Sequence, residues 1–478
     1  MDVRGGRAAP RRGGRPVSAA RAGEAAPGGG FRTFLLIWFG GTVSSLGSAL
    51  TAFVIGVWAF QQTGSATLYS LIAVAGIVPS ILLSPFAGAL ADRWDRRLLI
   101  IWCTVAAMVI TGITAALMAA DRLEVWHLYV TALVAAVVGS LVRPASMAIS
   151  TSLIRPEQFG RVNGLMQFGF AGVRIVSPIL AGILLARIHA VGVLLLDLVS
   201  FVAVLAVFVA VRVPQPGRAA DAGPRPSLLA DSATGWRYVR ERPGIFGLLL
   251  YFSAIGIAPV LSMILLTPLV LRIADEVVLG TVMSMAGLGA LAGGFVMSAW
   301  GGPKRRFHGI VAAGVVLGIS VIVAGLRSDP VTIAAGVFGI AFGGPIMTGC
   351  FNALWQVKTP LQLHGRVFAT ITMIAESSIP IALLAAGPAT DYLLEPLMAP
   401  GGALAGALGP YLGVGPGRGI GLLYVGLGVF VLAATAVASR LPRLRFAEDE
   451  LEDAVQAKRS VGPDPAPVSA DPELSPSA

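Results

Sequence analysis

The stretch "GALADRWDRR", Gly88 to Arg97, places five charged residues within ten: Asp92, Arg93, Asp95, Arg96 and Arg97. The rest of the chain is poor in charge. Of its 478 residues only 13% are Asp, Glu, Lys or Arg, 55% are hydrophobic, and the mean hydropathy is +0.80. Long apolar runs flank the stretch on both sides, Leu68–Ala91 and Leu98–Ala119. A bilayer core needs roughly 20 apolar residues per helix. With no water in that core, backbone N–H and C=O groups must pair internally, which leaves helices or closed barrels as spanning structures. The runs lack the period-two alternation of a barrel strand, so they read as helices. The charged stretch is a link between two transmembrane helices of a polytopic membrane protein.

Working outward from that link, apolar runs between turn signals give twelve spans. The first six are Phe34–Phe60, Leu68–Ala91, Leu98–Ala119, Trp126–Ser150, Val162–Ala186 and Ala190–Val211. The second six are Ile245–Leu271, Val277–Trp300, His308–Gly325, Val331–Asn352, Val367–Thr390 and Gly419–Ser439. The halves repeat. "GRV" at Gly160–Val162 recurs at Gly365–Val367, and Pro156 has a counterpart in Pro360. Span 2 carries a ladder of small residues at Gly76, Ser80, Ser84 and Gly88, matched in span 8 by Ala286, Ala290, Gly294 and Ser298. Small residues at one-turn spacing let helix backbones approach closely in lipid. The expected fold class is an all-α polytopic membrane protein, with twelve transmembrane helices in two pseudo-symmetric six-helix bundles. Its expected parts are a disordered basic tail at 1–30, a first bundle at 31–212, a linker at 213–242, a second bundle at 243–442 and a disordered tail at 443–478.

The formal net charge of +10 does not indicate nucleic-acid binding, because the basic residues flank apolar spans or lie in the tails. The first apolar run is too long for a signal peptide and lacks a small-residue cleavage site. With both termini cytoplasmic, nearly all Lys and Arg fall on the inner side. The outer side then receives only Arg122, Arg187, Arg272, Arg327 and Arg418. Cys103 and Cys350 sit in apolar runs and say nothing about redox compartment.

Asp92 continues the small-residue face of span 2 one turn beyond Gly88, and Arg96 follows it. On a close-packing face, a carboxylate suits a neighbouring helix N-terminus or a basic side chain. Positive-inside anchoring accounts for Arg93, Arg96 and Arg97 equally well, but not for Asp92. On these residues the chain resembles the major facilitator superfamily, whose loop between helices two and three reads Gly-x-x-x-Asp-Arg-x-Gly-Arg-Arg. Gly88, Asp92, Arg93, Arg96 and Arg97 match, while Asp95 stands at the second Gly position. The Asp-Arg-x-Asp-Arg-Arg form is similar to the macrolide-efflux and enterobactin-exporter branch. The resemblance implies a cavity between two six-helix domains and alternating access. It implies a gate in which Asp92 docks on the inner end of helix eleven at Gly365–Arg366–Val367, with Arg143 as a second partner. Helix five resembles, in relaxed form, the glycine-rich signature of exporters in this superfamily: Gly164, then Val173 as a bulky departure, then Ser177–Pro178, then Ala181–Gly182.

Charged residues inside spans are functional candidates because an unpaired charge in hydrocarbon is costly. Arg174 in span 5, Glu376 in span 11 and Asp197 in span 6 qualify. An Arg174–Glu376 pair between the halves is one expectation, and Glu376 is the leading proton carrier. Many members of the superfamily carry an acidic residue in helix one after a Gly, where this chain has Gly47–Ser48. Trp38, Ser44, Ser45, Gln167, Asn352 and Gln356 are candidate cavity residues.

The sequence holds no H-E-x-x-H and no nucleotide-binding P-loop, so neither an enzyme nor an ATP-driven pump is expected. The expected function is export of a small amphipathic drug-, macrolide- or siderophore-like compound from the bacterial cytoplasmic membrane by proton-coupled antiport. The expected partners are that substrate, a proton or other ion gradient and the lipid bilayer; no cofactor, metal or nucleic acid is expected, and the chain is expected to be a monomer. The rival readings are an importer or lysophospholipid transporter on the same fold, and a membrane sensor or scaffold that does not transport. Asp92→Asn is expected to cut transport at least tenfold with unchanged membrane expression. Unimpaired transport would return the stretch to surface anchoring.

Overall fold

The computed structural model describes residues 30–154, 158–211, 236–360, 363–446 and 448, with side chains for all of these except 30, 84–93, 148, 151–152, 364–366 and 369. The expected tails and most of the linker lie outside the described residues. Among the described residues every regular element is helical. Span 1 is Gly30–Thr63, span 2 Ala66–Arg93, span 3 Arg96–Ala119 and span 4 Val125–Leu153. Span 7 is Pro243–Leu271, span 8 Glu276–Trp300, span 9 Arg306–Leu326, span 10 Pro330–Lys358, span 11 His364–Pro388 and span 12 Arg418–Arg440.

Spans 5 and 6 are joined in one helical element of 52 residues, Phe159–Ala210, so eleven helices rather than twelve are long and apolar enough to cross a bilayer. A straight helix of that length would run about 78 Å, far beyond a bilayer core of roughly 30 Å. The element folds back at His189, whose φ of 58° and ψ of 174° are not helical. Packing shows the reversal. Gly169 lies against Trp38 and Thr42, and Ala181 clusters with Leu50 and Val54, so span 5 runs parallel to span 1. Gly40 meets Val204 and Val207 while Gly47 meets Asp197 and Ser200, so span 6 runs antiparallel to it. The twelve expected spans are present.

Several spans begin on aspartate. The Asp95 carboxylate accepts from the N–H groups of Arg97 at 2.9 Å and Leu98 at 3.1 Å, capping span 3. Asp275 caps span 8 through Val278 N–H, and Asp329 caps span 10 through Val331 and Thr332. Each supplies an acceptor to orphan donors of a first helical turn. Asp95, the departure from the superfamily pattern, thus has a local structural role.

Close backbone approach organises the second half. A Cβ on Gly289 would lie 2.2 Å from the Phe338 carbonyl oxygen, and one on Gly293 would lie 2.1 Å from that of Phe342. These two glycines seat span 8 on span 10. The ladder expected on span 8 therefore needs correction: Gly294 has nothing within 4 Å, and Ser298 hydrogen-bonds back to its own helix at Gly294. The largest apolar core fills the second half and reaches into the first at Val57 and Ala66. In lipid such packing, rather than expulsion of water, holds helices together. Gly289→Ala should cost about 1–3 kcal/mol by overpacking and lower the melting temperature in detergent, while Gly294→Ala should leave it unchanged.

Candidate transport cleft and its distal latch

Two ends of the bundle need names. The terminal end is where span 1 begins and span 12 finishes; the distal end is opposite. The charged stretch at Gly88–Arg97 belongs to the terminal end. The side chains of Asp92, Arg93 and Arg366, together with the surroundings of Gly88, lie outside the described residues. The Arg97 side chain is described, and its guanidinium donates to the carbonyls of Phe208 at 2.7 Å and Val209 at 2.9 Å. It satisfies the last carbonyls of span 6, in its own half, which a cation at a helix C-terminus does favourably. Arg96 is half-buried, and Arg143 is exposed with no hydrogen bond or ion pair among the described residues.

Spans 5 and 8 meet across the halves along one stripe of each helix. Pro178 and Gly182 of span 5 lie against Gly280 and Glu276 of span 8, so closely that a Cβ on Gly280 would be 2.2 Å from the Pro178 carbonyl oxygen. One turn further, the Ser284 hydroxyl donates to the Ile175 carbonyl at 2.7 Å, and Gly287 packs on Arg174 and Ile175. Pro178 has no N–H for the Arg174 carbonyl, so this backbone is freed where the halves touch. Ser177 and Ala181 are buried on the neighbouring face. Towards the terminal end the same stripe of span 5 continues as Gln167 and Gly164, and there it is exposed. The matching stripe of span 8 continues through Leu291 and Gly294, and Leu291 is exposed. The two helices are sealed distally and part from the level of Arg174.

The distal seal has an ionic centre. The Asp391 carboxylate, just past span 11, accepts from the hydroxyls of Ser65 at 2.7 Å and Thr67 at 2.8 Å, and from the N–H groups of Thr67 at 2.8 Å and Ala66 at 3.2 Å. It occupies the N-terminus of span 2, where orphan N–H groups and the helix dipole favour an anion. Ser65 serves both sides, because its oxygen also accepts from Leu68 N–H. Arg272, at the end of span 7, lies 3.5 Å from Asp391, pairs with Glu395, and reaches the Gly64 carbonyl at 3.4 Å. A cavity of about 430 Å³ opens beside this cluster, lined by Arg272, Asp391, Glu395, Ala399 and Gly415. Nearby, Tyr69 of span 2 hydrogen-bonds Thr267 of span 7. The bonds from Ser65, Ala66, Thr67, Tyr69, Arg272 and Ser284 thus join the halves on this distal side.

Such a seal, a helix of each half parting from its partner at mid-depth, is the form of a two-bundle transporter. The sequence model described as Major Facilitator Superfamily matches residues 37–383. The chain belongs to this superfamily. It is a multi-pass membrane transporter of small molecules, not an enzyme. The chain is 25% identical over 365 residues to macrolide efflux protein A of Streptococcus pyogenes, covering 73% of this chain and 87% of that one. It is 23% identical over 367 residues to the multidrug efflux pump Tap of Mycolicibacterium fortuitum, covering 75% and 89%. Its fold is similar to a bacterial homologue of the lysosomal transporter Spinster, with a TM-score of 0.66 at 14% identity over 89% of this chain and 98% of that one.

In this major facilitator the expected intramembrane charges are not gathered into one site. Arg174 and Glu376 are both exposed and form no ion pair with each other. Asp197 is 1% exposed and accepts from Thr51 at 2.8 Å and from Ser200 at 3.1 Å. Span 6 thereby presents a carboxylate to Gly47–Ser48 of span 1, the place where the sequence lacks an acid of its own. Of the cavity candidates, Gln167 and Gln356 are exposed and Ser44 and Asn352 half-buried. Ser45 is tied to the Gly41 carbonyl, and the Trp38 indole edge packs on Gly169.

Asp391, Glu395 and the N-terminus of span 2 were not singled out in the sequence. The available signal was Arg272 and Arg418, two of the few basic residues on the arginine-poor side. Asp391→Asn removes the charge from a latch whose charge-assisted hydrogen bonds contribute about 1.5–3 kcal/mol each. Spin labels at Arg122→Cys and Ser328→Cys, both exposed on distal loops of opposite halves, should show the distal-open population rising about tenfold or more.

Proposed function

We propose that this transporter exports a small amphipathic compound by alternating access, driven by inward movement of protons. The observation that carries the reading is the shared stripe of spans 5 and 8, sealed distally and bare from Arg174 towards the terminal end. A carrier needs one closed gate and one accessible face in each state. With the termini cytoplasmic, as the Lys and Arg asymmetry favours, the distal seal is the outer gate and the state is inward-facing. The bundles 31–212 and 243–442 then rock as two units within the bacterial cytoplasmic membrane, in a monomer. The efflux activities named for the Streptococcus and Mycolicibacterium relatives support export and a drug- or macrolide-like substrate.

In this reading Gln167 and Arg174 line the accessible face. Arg174, at the level where spans 5 and 8 part, changes its surroundings whenever the gate moves. Glu376 is the proton carrier, since an exposed carboxylate at mid-span can exchange protons from the cleft. Asp197, enclosed by Thr51 and Ser200, holds span 6 on span 1. The charged stretch at Asp92–Arg97 forms the opposite gate, which closes when the distal one opens.

The test is uptake of a radiolabelled macrolide into inverted membrane vesicles with an imposed proton gradient. Gradient-driven accumulation is expected, abolished by a protonophore and reduced at least tenfold by Glu376→Gln. Accumulation indifferent to both would overturn proton antiport.

A further inference from the structure

Arg418 begins span 12 and is 1% exposed, one of the largest fully buried side chains in the molecule. Its Nη1 donates to the Leu412 carbonyl at 2.7 Å, but its Nε and Nη2 have no hydrogen-bond partner. A buried guanidinium with two idle donors is costly, and in the closed seal it forms no ion pair with Glu395, although the charge of Glu395 already acts on it. Its position is nevertheless set with care. The next residue, Gly419, presses on the Glu395 backbone, where a Cβ would lie 2.4 Å from Glu395 N. Gly413 and Gly421 flank the side chain, with Cβ positions 3.3 Å from its Cδ and Cζ respectively. A Cβ at either glycine would crowd the side chain, and Glu395 lies close enough for its charge to act on the guanidinium.

With Arg418 unengaged, the sealed state sets one paired cation, Arg272, against two carboxylates, and the N-terminus of span 2 supplies the remaining positive pole. In the sealed state Asp391 is satisfied by span 2 and Arg272 attends chiefly to Glu395. Opening the seal carries Ser65, Ala66, Thr67 and Gly64 away with the first half. Asp391 then loses all four of its donors and keeps Arg272, which itself loses the Gly64 carbonyl. Glu395 is left needing a cation, and Arg418 has the idle donors.

We infer that Arg418 is the reserve counter-ion of Glu395: as the distal seal opens, Arg272 passes to Asp391 and Arg418 takes over Glu395. Each carboxylate has a cationic partner in both states, so opening leaves no charge stranded at the membrane level. The N-terminus of span 2 acts as a removable positive pole, and Arg418 replaces it in the charge balance. Arg418 is a positioning residue of the transport cycle. The inference rests on the alternating-access reading, but not on the direction of transport or on the substrate.

The experiment measures Arg122→Cys/Ser328→Cys spin-label distances in proteoliposomes, with and without a proton gradient. Arg418→Gln keeps a donor for Leu412 and removes the charge. It should leave the distal-closed distance at its unmodified value, which also reports folding, and lower the distal-open population at least tenfold, as expected for a stranded buried charge. Arg418→Lys should still open. Glu395→Gln/Arg418→Gln, which removes both charges, should recover the open population to within about threefold of the unmodified protein. If Arg418→Gln opens normally, or the double variant opens no better than the single one, the exchange is wrong while alternating access stands. If the unmodified protein never opens distally, alternating access fails and the exchange fails with it.

Discussion

A carboxylate from one half of the molecule, Asp391, rests on the open N-terminus of a helix from the other half. The contact suits a joint that must both hold and release. Its donors are two hydroxyls and two backbone N–H groups, none of which needs a countercharge once the carboxylate departs. A direct ion pair between the halves would strand a charge on each side when broken. Here the break leaves no cation without a partner, and Arg272 already lies beside Asp391. Span 2 keeps its own cap, because the Ser65 oxygen accepts from Leu68 N–H whether or not Asp391 is present.

The rest of the seal follows from backbone approach. At Gly280 and Gly182 the main chains of spans 5 and 8 come so near that any side chain would collide. At the terminal end the same two stripes carry Gln167 and Leu291 in the open. One pair of helices therefore contains both the closed contact and the surface that, in the proposed cycle, closes in the other state. Pro178 frees a carbonyl at the dividing level, next to Arg174, so the polar backbone of the joint is concentrated where the helices part.

Much of this fold was legible in the residues. Hydropathy runs set the spans because lipid tolerates nothing else at that length, and the break between Ala186 and Ala190 marked the reversal at His189. The charged stretch announced a loop, although Asp95 and Arg97 turned out to cap helix ends within the first half. Spacing alone did not tell which face of span 8 meets a neighbour. The ladder through Gly294 and the pair Gly289–Gly293 have equal claim in sequence, and only the position of span 10 decides between them. The latch was harder still. Ser65 and Asp391 are 326 residues apart, and no local pattern links a loop serine to an aspartate beyond span 11. Arg174 and Glu376 are not paired in this state, since two lone charges in different helices do not fix their own rotations.

In the proposed cycle spans 5 and 8 hinge about the Arg174 level, closing at one end as they open at the other. Continued past Gly287, their antiparallel register places Gln167 opposite Gly294. The most direct measurement is oxidative cross-linking of Gln167→Cys with Gly294→Cys during turnover, alongside transport assays before and after reduction. Such a hinge gives a cross-link that forms under turnover conditions, holds the terminal end shut, stops transport and is fully reversed by reductant. A cross-linked protein that still transports would contradict it.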